Sequence, residues 1–253
     1  MRVLSFNIRA DLARDRLRGR SWRRRRSAVI ETVRAFGPEI IGFQEVRRRQ
    51  RADLIAAFPD HEALGGFRAQ TRTAEAVPLF IDRRSYEVEA SGDLWLSPTP
   101  DVEASRGWDA AYPRICTWAQ VRAREHGFRF VVCNAHFDHR GEGARVESAK
   151  LLAQHVREVA LPVILLGDLN ATPDSAPLQI LAEAGLRDAF AELHPADVAA
   201  ATVQGSAHAA GARVDHILCD DAWQILGADI IFDPRSGPPP SDHRPVGAIL
   251  RPR

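Results

Sequence analysis

The sequence of 253 residues predicts a layered α/β or α+β sandwich. Eight apolar runs rich in β-branched residues recur along the chain, and several are apolar nearly throughout, as strands buried on both faces must be. Helical patterns lie between some of these runs, which favours a layered arrangement. No repeat or long linker divides the sequence, so a single domain over residues 1–253 is expected. Strands are expected at 2–8, 39–46, 77–82, 114–122, 128–137, 162–169, 213–219 and 245–251.

Three helices are predicted from the spacing of apolar residues between these strands. The first has Ser21 as its expected N-cap and ends at Gly37, which precedes a proline. Residues 142–160 place their apolar side chains on one stripe. A third helix is expected near 175–184, opened by the Thr-Pro-Asp sequence that precedes it.

The composition is that of an ordinary globular protein. Hydrophobic residues make up 45% and charged residues 26%, which excludes wholesale disorder. No apolar run reaches the length of a membrane span, and the N-terminus lacks the pattern of a signal peptide. A cytoplasmic protein is therefore expected. The three cysteines form no Cys-x-x-Cys pair and are interpreted as small buried hydrophobic residues.

The near-zero net charge hides an arginine-rich N-terminal region. Residues 1–51 contain 15 Arg and five acidic residues, and residues 23–26 are four consecutive arginines. On a helix such side chains spread around the surface, so a solvated face is the favoured interpretation. A role in steering phosphate groups towards a nearby cleft is the alternative.

Polar side chains follow the predicted strands at their carboxyl ends, where loops gather and ligands bind in layered folds. An acid or amide after one strand is unremarkable, but six such cases built from Asn, Gln, Glu, Asp and His indicate a convergent polar site. The six segments are Asn7, Gln44-Glu45, Asn134-Ala135-His136, Asp168-Leu169-Asn170, Asp215 and Asp242-His243.

The residue types at this site suit the hydrolysis of a phosphate ester. Oxygen ligands without thiolates are typical of a hard cation such as Mg²⁺ or Mn²⁺. Glu45 is the strongest candidate for a direct ligand, and Asn7 and Asp242 are candidates for the same metal site. Histidines beside carboxylates can act as general acids or stabilise developing charge. A metal, a base and cationic donors around one cleft are a known combination for phosphoester cleavage.

These motifs together resemble the endonuclease/exonuclease/phosphatase superfamily of metal-dependent hydrolases. They occur in the family's chain order and span essentially the whole chain. The segment 95–101, with Gly107-Trp108-Asp109 and Arg114, is similar to a bacterial branch related to the deadenylase-like members. The resemblance implies a four-layer sandwich, with two β-sheets face to face and helices outside. The motifs are S-F-N (5–7), Q-E (44–45), N-A-H-F-D (134–138), G-D-L-N (167–170), R-V-D-H (213–216) and S-D-H-R-P-V (241–246).

The resemblance also implies roles for the metal site and the nucleophile. Glu45 matches the metal-binding glutamate of the family, with Asn7 beside it and Asp242 as a further ligand of the metal site. Asp168 matches the carboxylate that orients or deprotonates the attacking water. Asn170 matches the amide that holds the phosphate or the nucleophile.

Further residues match the groups that stabilise charge in the family. His243 matches the histidine that supports the transition state, and Asp215 matches the acid that orients it. His136 matches a second histidine found in the DNase I, sphingomyelinase and inositol-phosphatase branches. Glu75 is the expected partner of His136, although an ordinary exposed glutamate is the alternative.

Two further side chains are expected to bind substrate, each with a structural alternative. Arg114 lies in a predicted strand, and arginine matches the geometry of phosphate, but a structural ion pair is nearly as consistent with the sequence. Asn134 is a substrate-binding candidate in the N-A-H motif. For this residue a structural hydrogen-bonding role behind the site is the favoured alternative.

The expected function is Mg²⁺- or Mn²⁺-dependent hydrolysis of a phosphodiester or a phosphomonoester by activated water. The alternatives are a nuclease that uses the arginine-rich region, and a catalytically silent binding module of the same fold. The expected partner is a phosphate-ester substrate, nucleic acid or a small phosphorylated molecule, without stable membrane association, and a monomer is expected. Specificity is expected in the loops 60–76, 97–114 and 194–212, which the sequence does not decode.

Overall fold

The computed structural model describes residues 1–197, 200–204, 211–232 and 239–253, apart from the side chain of Arg16. Part of the expected specificity loop 194–212 therefore lies outside the described residues. The strands are β1 (Arg2–Asn7), β2 (Ile40–Gln44), β3 (His61–Leu64), β4 (Leu79–Asp82), β5 (Tyr86–Trp95), β6 (Ile115–Ala123), β7 (Arg129–His136), β8 (Val163–Asp168), β9 (Arg187–Asp188), β10 (Asp215–Cys219), β11 (Trp223–Ile230) and β12 (Val246–Pro252). The helices are α1 (Ala13–Leu17), α2 (Trp22–Phe36), α3 (Arg48–Ala57), α4 (Glu142–Glu158), α5 (Ala176–Glu183) and α6 (Ala189–Leu193).

The strands form two mixed sheets of six. The first sheet has the order β11-β12-β1-β2-β4-β3, and the second has the order β5-β6-β7-β8-β10-β9. Each sheet has one parallel pair near its centre, β1 with β2 and β7 with β8, and the remaining neighbours are antiparallel. The two parallel pairs bring four strand carboxyl ends to the same side of the molecule.

Three hydrophobic clusters hold the layers together. One lies between the sheets, where Val3 and Ile40 of the first sheet meet Val132 and Ile164 of the second. Another packs helices α4 and α5 against the outer face of the second sheet. The third packs α2 and α3 against the outer face of the first sheet. The four-layer sandwich that the resemblance implies is therefore confirmed.

The eight predicted strands and the three predicted helices are all present within a few residues of their expected bounds. Ser21 precedes α2 as predicted, but its side chain makes no capping hydrogen bond. Gly37 ends α2 in the left-handed conformation, with φ of 63°, and its N–H donates to the carbonyl of Val33. The sequence reading missed strands β3, β5, β9 and β11 and helices α1, α3 and α6.

The structure separates the four consecutive arginines at the start of α2. Arg23, Arg24 and Arg26 are exposed, as the solvated-face interpretation predicts. Arg25 is 1% exposed and donates hydrogen bonds to four backbone carbonyls, those of Ile8, Arg9, Arg20 and Pro240. The three cysteines are buried free thiols, as expected. Within the described ranges, none of the helices is long and apolar enough to cross a membrane.

A buried ion cluster ties β9 and β10 together beside α6. The carboxylate of Asp188 lies 2.7 Å from Nη1 of Arg213 and 2.7 Å from Nδ1 of His216. Although burial opposes it, the hydrogen bond and charge of His216, with the charge of Arg213, hold the pKa of Asp188 well below its usual range. The second ring nitrogen of His216 lies 2.9 Å from the carbonyl of Ala171, which links the cluster to the segment after β8.

This cluster makes part of the stability dependent on pH. Because the pKa of Asp188 is depressed on folding, its contribution is fully present above the unfolded pKa near 4 and is lost as the pH falls further. We expect Asp188→Asn to lower the free energy of unfolding by about 2 kcal/mol at pH 7. The difference in this free energy between variant and wild type should be smaller at about pH 3.5. Urea unfolding at both pH values measures this. Asp229→Asn, at an exposed position of β11, is the control and should change the free energy of unfolding by no more than about 0.5 kcal/mol.

Candidate functional site

The register of the sheets brings the predicted site residues to one edge. In the first sheet, Asn7 lies opposite Gln44 at the ends of the parallel strands β1 and β2. In the second sheet, His136 lies opposite Asp168 at the ends of β7 and β8, and Asp215 begins β10 opposite Asp168. Because the sheets pack face to face, the ends of both parallel pairs meet across the interface.

Asn7 joins the two sheets through its amide. Its Nδ2 donates to Oε1 of Glu45 at 3.1 Å and to Oδ2 of Asp168 at 2.9 Å. Its Oδ1 accepts the backbone N–H of Arg9 at 2.9 Å. These partners fix the direction of the amide, because carboxylates accept and an N–H donates. Asn7 therefore lies beside Glu45 as predicted, and it presents its nitrogen to both carboxylates. Its place at the metal site stays a prediction.

Backbone conformation aims several side chains into the site. Glu45 has φ of 60°, Asn170 has φ of 46° and Arg9 has φ of 57°, all in the left-handed region. This region is uncommon for residues other than glycine and is found mainly where surrounding contacts enforce it, often at functional sites. The backbone N–H of Ala10 donates to Oε2 of Glu45 at 2.8 Å, so the turn after β1 also holds this carboxylate.

Asp168 is the centre of the site. Its Oδ1 accepts the backbone N–H of Asn170 at 3.0 Å, and its Oδ2 lies 3.5 Å from Nε2 of His136 and 3.9 Å from Nε2 of His243. Burial, together with the charge of Asp215, raises the pKa of Asp168 to about 7, against the opposing effects of its hydrogen bonds and of His243. This carboxylate is therefore placed to exchange a proton near neutral pH.

His243 forms a charged pair with Asp215. Its Nδ1 lies 2.8 Å from Oδ2 of Asp215, which fixes the ring and leaves Nε2 directed towards Asp168. Although burial opposes it, the charges of Asp215 and Asp168 raise the pKa of His243 to about 10. The hydroxyl of Ser241 accepts the N–H of His243 and donates to the carbonyl of Asn7 at 2.7 Å, so this loop is anchored to β1.

His136 is a neutral ring on the other side of Asp168. Nη1 of Arg114 donates to its Nε2 at 3.0 Å. Burial, and then the positive charges of Arg114 and Arg68, hold the pKa of His136 well below its usual value. The site therefore contains one charged and one neutral imidazole, which differ because His243 has an acid partner and His136 has arginine neighbours.

Arg114 is buried and lies one residue before β6 begins, whereas the predicted strand included it. Its Nε donates to Oδ2 of Asp138 at 3.2 Å, and its Nη2 donates to Nδ1 of His139 at 2.9 Å. Asp138 also accepts backbone N–H groups, including that of Gly141 at 2.9 Å. Arg114 thus has the structural ion pair that was its alternative role, and the same guanidinium contacts the site residue His136.

Glu75 reaches the site with a partner other than the expected one. Its Oε2 lies 2.9 Å from Nη1 of Arg68, whereas the side-chain contacts of His136 are with Arg114 and Asp168. Burial, and then the nearby charge of Glu45, raise the pKa of Glu75. The expectation that Glu75 pairs with His136 is therefore corrected to a pairing with Arg68, close to Glu45.

Asn134 has the structural role that the sequence favoured, and not the substrate contact for which it was also a candidate. The side chain has no exposed surface, and its Nδ2 lies within 3.1 Å of the carbonyls of Phe43, Val77 and Pro78. Its Oδ1 accepts Nε2 of Gln44 at 2.8 Å. Asn134 therefore fastens the second sheet to the end of β2, behind the site, and has no group free for a ligand.

Asp242 is held by an arginine that the sequence reading did not assign. Nη1 of Arg9 forms an ion pair with Asp242, and Nε of Arg9 lies 2.9 Å from Oδ2 of the buried Asp15. The sequence reading also missed Arg68 and assigned no role to Asp138. Signals existed for two of them, since Arg9 follows the S-F-N motif by two residues and Asp138 ends the quoted N-A-H-F-D motif.

The donor chemistry fits a hard cation near Glu45. One donor atom each of Asp168, Asp215 and His243 lie within 4.8 Å of one another. His243 is charged and pairs with Asp215, so the carboxylates of this cluster are better donors than its ring. On the other side of Asn7, burial and then the charge of the half-buried Glu45 raise the pKa of Glu75. A cation bound near these two acids would relieve that repulsion.

Comparison with known proteins identifies relatives over almost the whole chain. A model of the Endonuclease/Exonuclease/phosphatase family matches residues 4–243. An endonuclease/exonuclease/phosphatase family protein from Bacteroides thetaiotaomicron has 30% identity and a TM-score of 0.89, with 99% of this chain and 97% of that chain covered. A mannosyl-6-phosphatase from the same organism has the same identity and TM-score, with 99% of both chains covered. The human Nocturnin catalytic domain shares the fold, with a TM-score of 0.79 at 18% identity, covering 100% of this chain and 94% of that one.

The family match and the site geometry agree. The match begins in β1 and ends at His243, so it includes every strand end that contributes a side chain to the site. The fold, the paired carboxylates and the charged histidine form one arrangement at the edge of the two sheets. This chain belongs to the endonuclease/exonuclease/phosphatase family and is a hydrolase that acts on phosphoric ester bonds.

Proposed function

We propose that this chain is a Mg²⁺- or Mn²⁺-dependent phosphomonoesterase that hydrolyses small phosphorylated molecules, sugar phosphates among them, with an activated water. The observation that carries the proposal is the position of Asp168. This buried carboxylate contacts Asn7 at 2.9 Å, and its Oδ2 lies between the rings of His136 and His243. A base held between a metal-site residue and two imidazoles suits in-line attack on a phosphoryl group.

Asp168 and Asn170 align the attacking water. The amide of Asn170 is fixed in rotation because its Nδ2 donates to the carbonyl of Phe137 at 3.0 Å. The backbone N–H of Asn170 binds Oδ1 of Asp168, so the two side chains are held by one turn. Asp168 takes the proton of the water through Oδ2, and Asn170 orients the water by a hydrogen bond. Positioning of this kind contributes a large part of the rate of phosphoryl transfer.

Charge stabilisation comes from His243 and from the Arg114 side of the site. His243 carries a proton on Nε2 and is oriented by Asp215, so it donates to an oxygen of the phosphoryl group as negative charge develops. His136 is neutral and receives the hydrogen bond of Arg114, which keeps the ring in one orientation. The two imidazoles therefore have different tasks, one as a charged donor and one as a fixed neutral contact.

Glu45 would hold the divalent cation. The Asn7 amide binds both Glu45 and Asp168 and so would fix the positions of these two carboxylates. A bound cation supplies Lewis acidity to a phosphoryl oxygen and neutralises charge. Asp242 is the further candidate from sequence, and because its Oδ2 pairs with Arg9, Oδ1 is the oxygen that it would offer to a cation. Mg²⁺ and Mn²⁺ both prefer such oxygen donors.

Metal dependence gives a direct prediction. Dialysis against EDTA is expected to lower the rate of phosphate release by at least about 100-fold, and added Mg²⁺ or Mn²⁺ should restore it. Glu45→Gln should weaken Mn²⁺ binding by about 10- to 100-fold, measured by calorimetry rather than by turnover. Glu183→Gln, at an exposed position of α5, is the matched control. Unchanged Mn²⁺ affinity in Glu45→Gln would remove Glu45 from the metal site.

The similarity to the mannosyl-6-phosphatase supports a phosphomonoester substrate. That protein is 30% identical over 99% of both chains, which is the basis for placing a sugar phosphate first among the substrates. Screening phosphate release from sugar phosphates, nucleotides and inositol phosphates with Mg²⁺ tests this. The expected result is hydrolysis of a sugar phosphate above the others. Release from none of these monoesters by a folded, metal-loaded protein would contradict the proposal.

A nuclease is the second candidate, and the exposed arginines at the start of α2 favour it. Arg23 and Arg24 are exposed to solvent, and Arg26 is exposed but pairs with Asp53 at 3.2 Å. Arg25, by contrast, is used inside the protein. Nicking of supercoiled plasmid with Mg²⁺, absent in Asp168→Asn, would support this candidate. The complete set of catalytic side chains argues against a silent binding module. A cytoplasmic location and a monomeric state stay predictions from the sequence.

A further inference from the structure

A ten-residue loop presents Arg68 beside the site. Phe67 and Ala76 form an isolated antiparallel bridge at the neck of this loop, which spans residues 67–76. The N–H of Arg68 donates to the carbonyl of Glu75 at 2.9 Å, and the two side chains form the ion pair described above. Backbone and side-chain contacts thus hold Arg68 and Glu75 opposite each other, so the guanidinium has a defined place although it lies on a loop.

Arg68 belongs to a continuous row of side chains that ends at Arg114. The guanidinium carbon of Arg68 lies 4.9 Å from the ring centroid of Tyr112. Tyr112 stacks on His139, with centroids 6.0 Å apart and an interplanar angle of 14°. His139 in turn receives Nη2 of Arg114 at 2.9 Å. Two loops expected to carry specificity, 60–76 and 97–114, therefore meet in one wall with a guanidinium at each end.

Both guanidinium groups act on the same side of the reacting centre. Arg114 donates to Nε2 of His136 at 3.0 Å, and that nitrogen lies 3.5 Å from Oδ2 of Asp168. Arg68 is joined to Arg114 through Tyr112 and His139. The side chain of Arg68 is 13% exposed, so it is largely desolvated but reaches solvent beside the site. The opposite side of Asp168 has the charged ring of His243, and Arg9 lies there in ion pairs with Asp15 and Asp242. Two guanidinium groups, Arg68 and Arg114, therefore border the His136 side of the site.

This concentration of charge matters for the choice between phosphate esters. A phosphomonoester carries about −1.5 to −2 at neutral pH, whereas a diester carries one negative charge. The terminal phosphoryl group also presents one more non-bridging oxygen. Arginine donates two parallel N–H groups to such oxygens, which gives it an advantage over a point charge. A second guanidinium is therefore worth most to the ester that has the additional charge.

We propose that Arg68 and Arg114, linked through Tyr112 and His139, form a subsite for the terminal phosphoryl group that selects phosphomonoesters over phosphodiesters. This inference rests on the proposed phosphoesterase function and extends it to the residues that read the charge of the substrate. Arg114 contacts the phosphoryl oxygens from the side of His136, and Arg68 contacts them from the side of Glu75. The ion pair with Glu75 holds Arg68 in place between turnovers.

The ratio of monoester to diester hydrolysis tests the subsite. The two probes are p-nitrophenyl phosphate and bis-p-nitrophenyl phosphate, assayed with saturating Mg²⁺. We expect Arg68→Met to lower kcat/KM for the monoester by about 10- to 100-fold and that for the diester by less than about 5-fold. Arg72→Met, at an exposed position of the same loop, is the control and should leave both values unchanged. A general loss of structure would lower both kcat/KM values together. A change in their ratio therefore reports on the selection between monoester and diester.

A second variant covers the case in which Arg68→Met does not fold. Arg68→Lys keeps a cation opposite Glu75 but lacks the paired donors, and we expect a fall of about 5-fold or more in the ratio. A ratio that stays at the wild-type value in either folded variant would overturn the subsite. Failure of the proposed function gives a different result, because the wild-type protein itself would then not hydrolyse the monoester probe.

Discussion

Asp168→Asn is expected to lower kcat for phosphate release by about 10³-fold or more while the protein remains folded. The substitution keeps the shape of the side chain but removes the group that accepts the proton of the attacking water. It also removes one acceptor, because Oδ1 and Oδ2 bind Asn170 and Asn7 in the native site and an amide accepts only at its oxygen. The measurement is steady-state kinetics at saturating Mg²⁺, with thermal unfolding run beside it.

The same change at an exposed position controls for the chemistry of the substitution. Asp174→Asn lies six residues further along the chain, on the surface before α5, and should leave kcat within about 2-fold of wild type. The melting temperature of Asp168→Asn should also stay close to wild type, because removing a buried charge offsets the lost hydrogen bond. Turnover close to wild type in Asp168→Asn would show that another group activates the water.

The central strands were predictable because burial on both faces leaves a plain signal. β8 is buried at every position, and its sequence is an apolar run that ends in the site residue Asp168. β5 gives no such signal, because its polar residues Glu87 and Glu89 alternate along an edge strand that is exposed on one side. β11 is likewise an edge strand, and its pairing with β12 is interrupted by an irregularity near Leu226, which breaks the alternation.

The site was predictable to the extent that it lies at strand ends. Asn7, His136 and Asp168 are fixed by sheet register, and a register follows from apolar runs that the sequence displays. The pairing of Glu75 with Arg68 depends instead on the path of a loop and on a contact with Tyr112 from a second loop. Such contacts join side chains that are far apart in sequence, so no local sequence pattern predicts them.

The arginine run shows the same limit at a single helix. Four consecutive arginines carry identical local signals, yet Arg25 is buried and its neighbours are exposed, because the helical period turns one position in four towards the sheet. The buried guanidinium then binds carbonyls at the end of β1 and at Pro240, two residues before Asp242. Arg25 therefore braces the two segments that carry Asn7 and Asp242. A prediction from charge alone places this side chain at the surface.

Gly167→Ala is expected to destabilise the protein by about 3 kcal/mol or more, the largest stability effect among the predicted variants. Gly167 has φ of 147°, a conformation that residues with a Cβ rarely adopt. A Cβ at this position would lie 1.9 Å from the backbone carbonyl oxygen of Ala135, its partner in the parallel pairing of β7 and β8. Because the obstacle is backbone, relief requires the two strands to separate. Urea unfolding with a folded-state check by circular dichroism measures the loss.

Gly127→Ala separates the two causes of this destabilisation. Gly127 also has a positive φ, 72°, but nothing lies within 4 Å of its hypothetical Cβ, so this variant should lose only about 1 kcal/mol. The difference between the variants measures the cost of forcing β7 away from β8. That movement would also separate His136 from Asp168, because these two residues are the next pair in the same register. We therefore expect the activity of Gly167→Ala to fall even in the fraction that folds. Equal stability of Gly167→Ala and Gly127→Ala would show instead that the strands accommodate a methyl group.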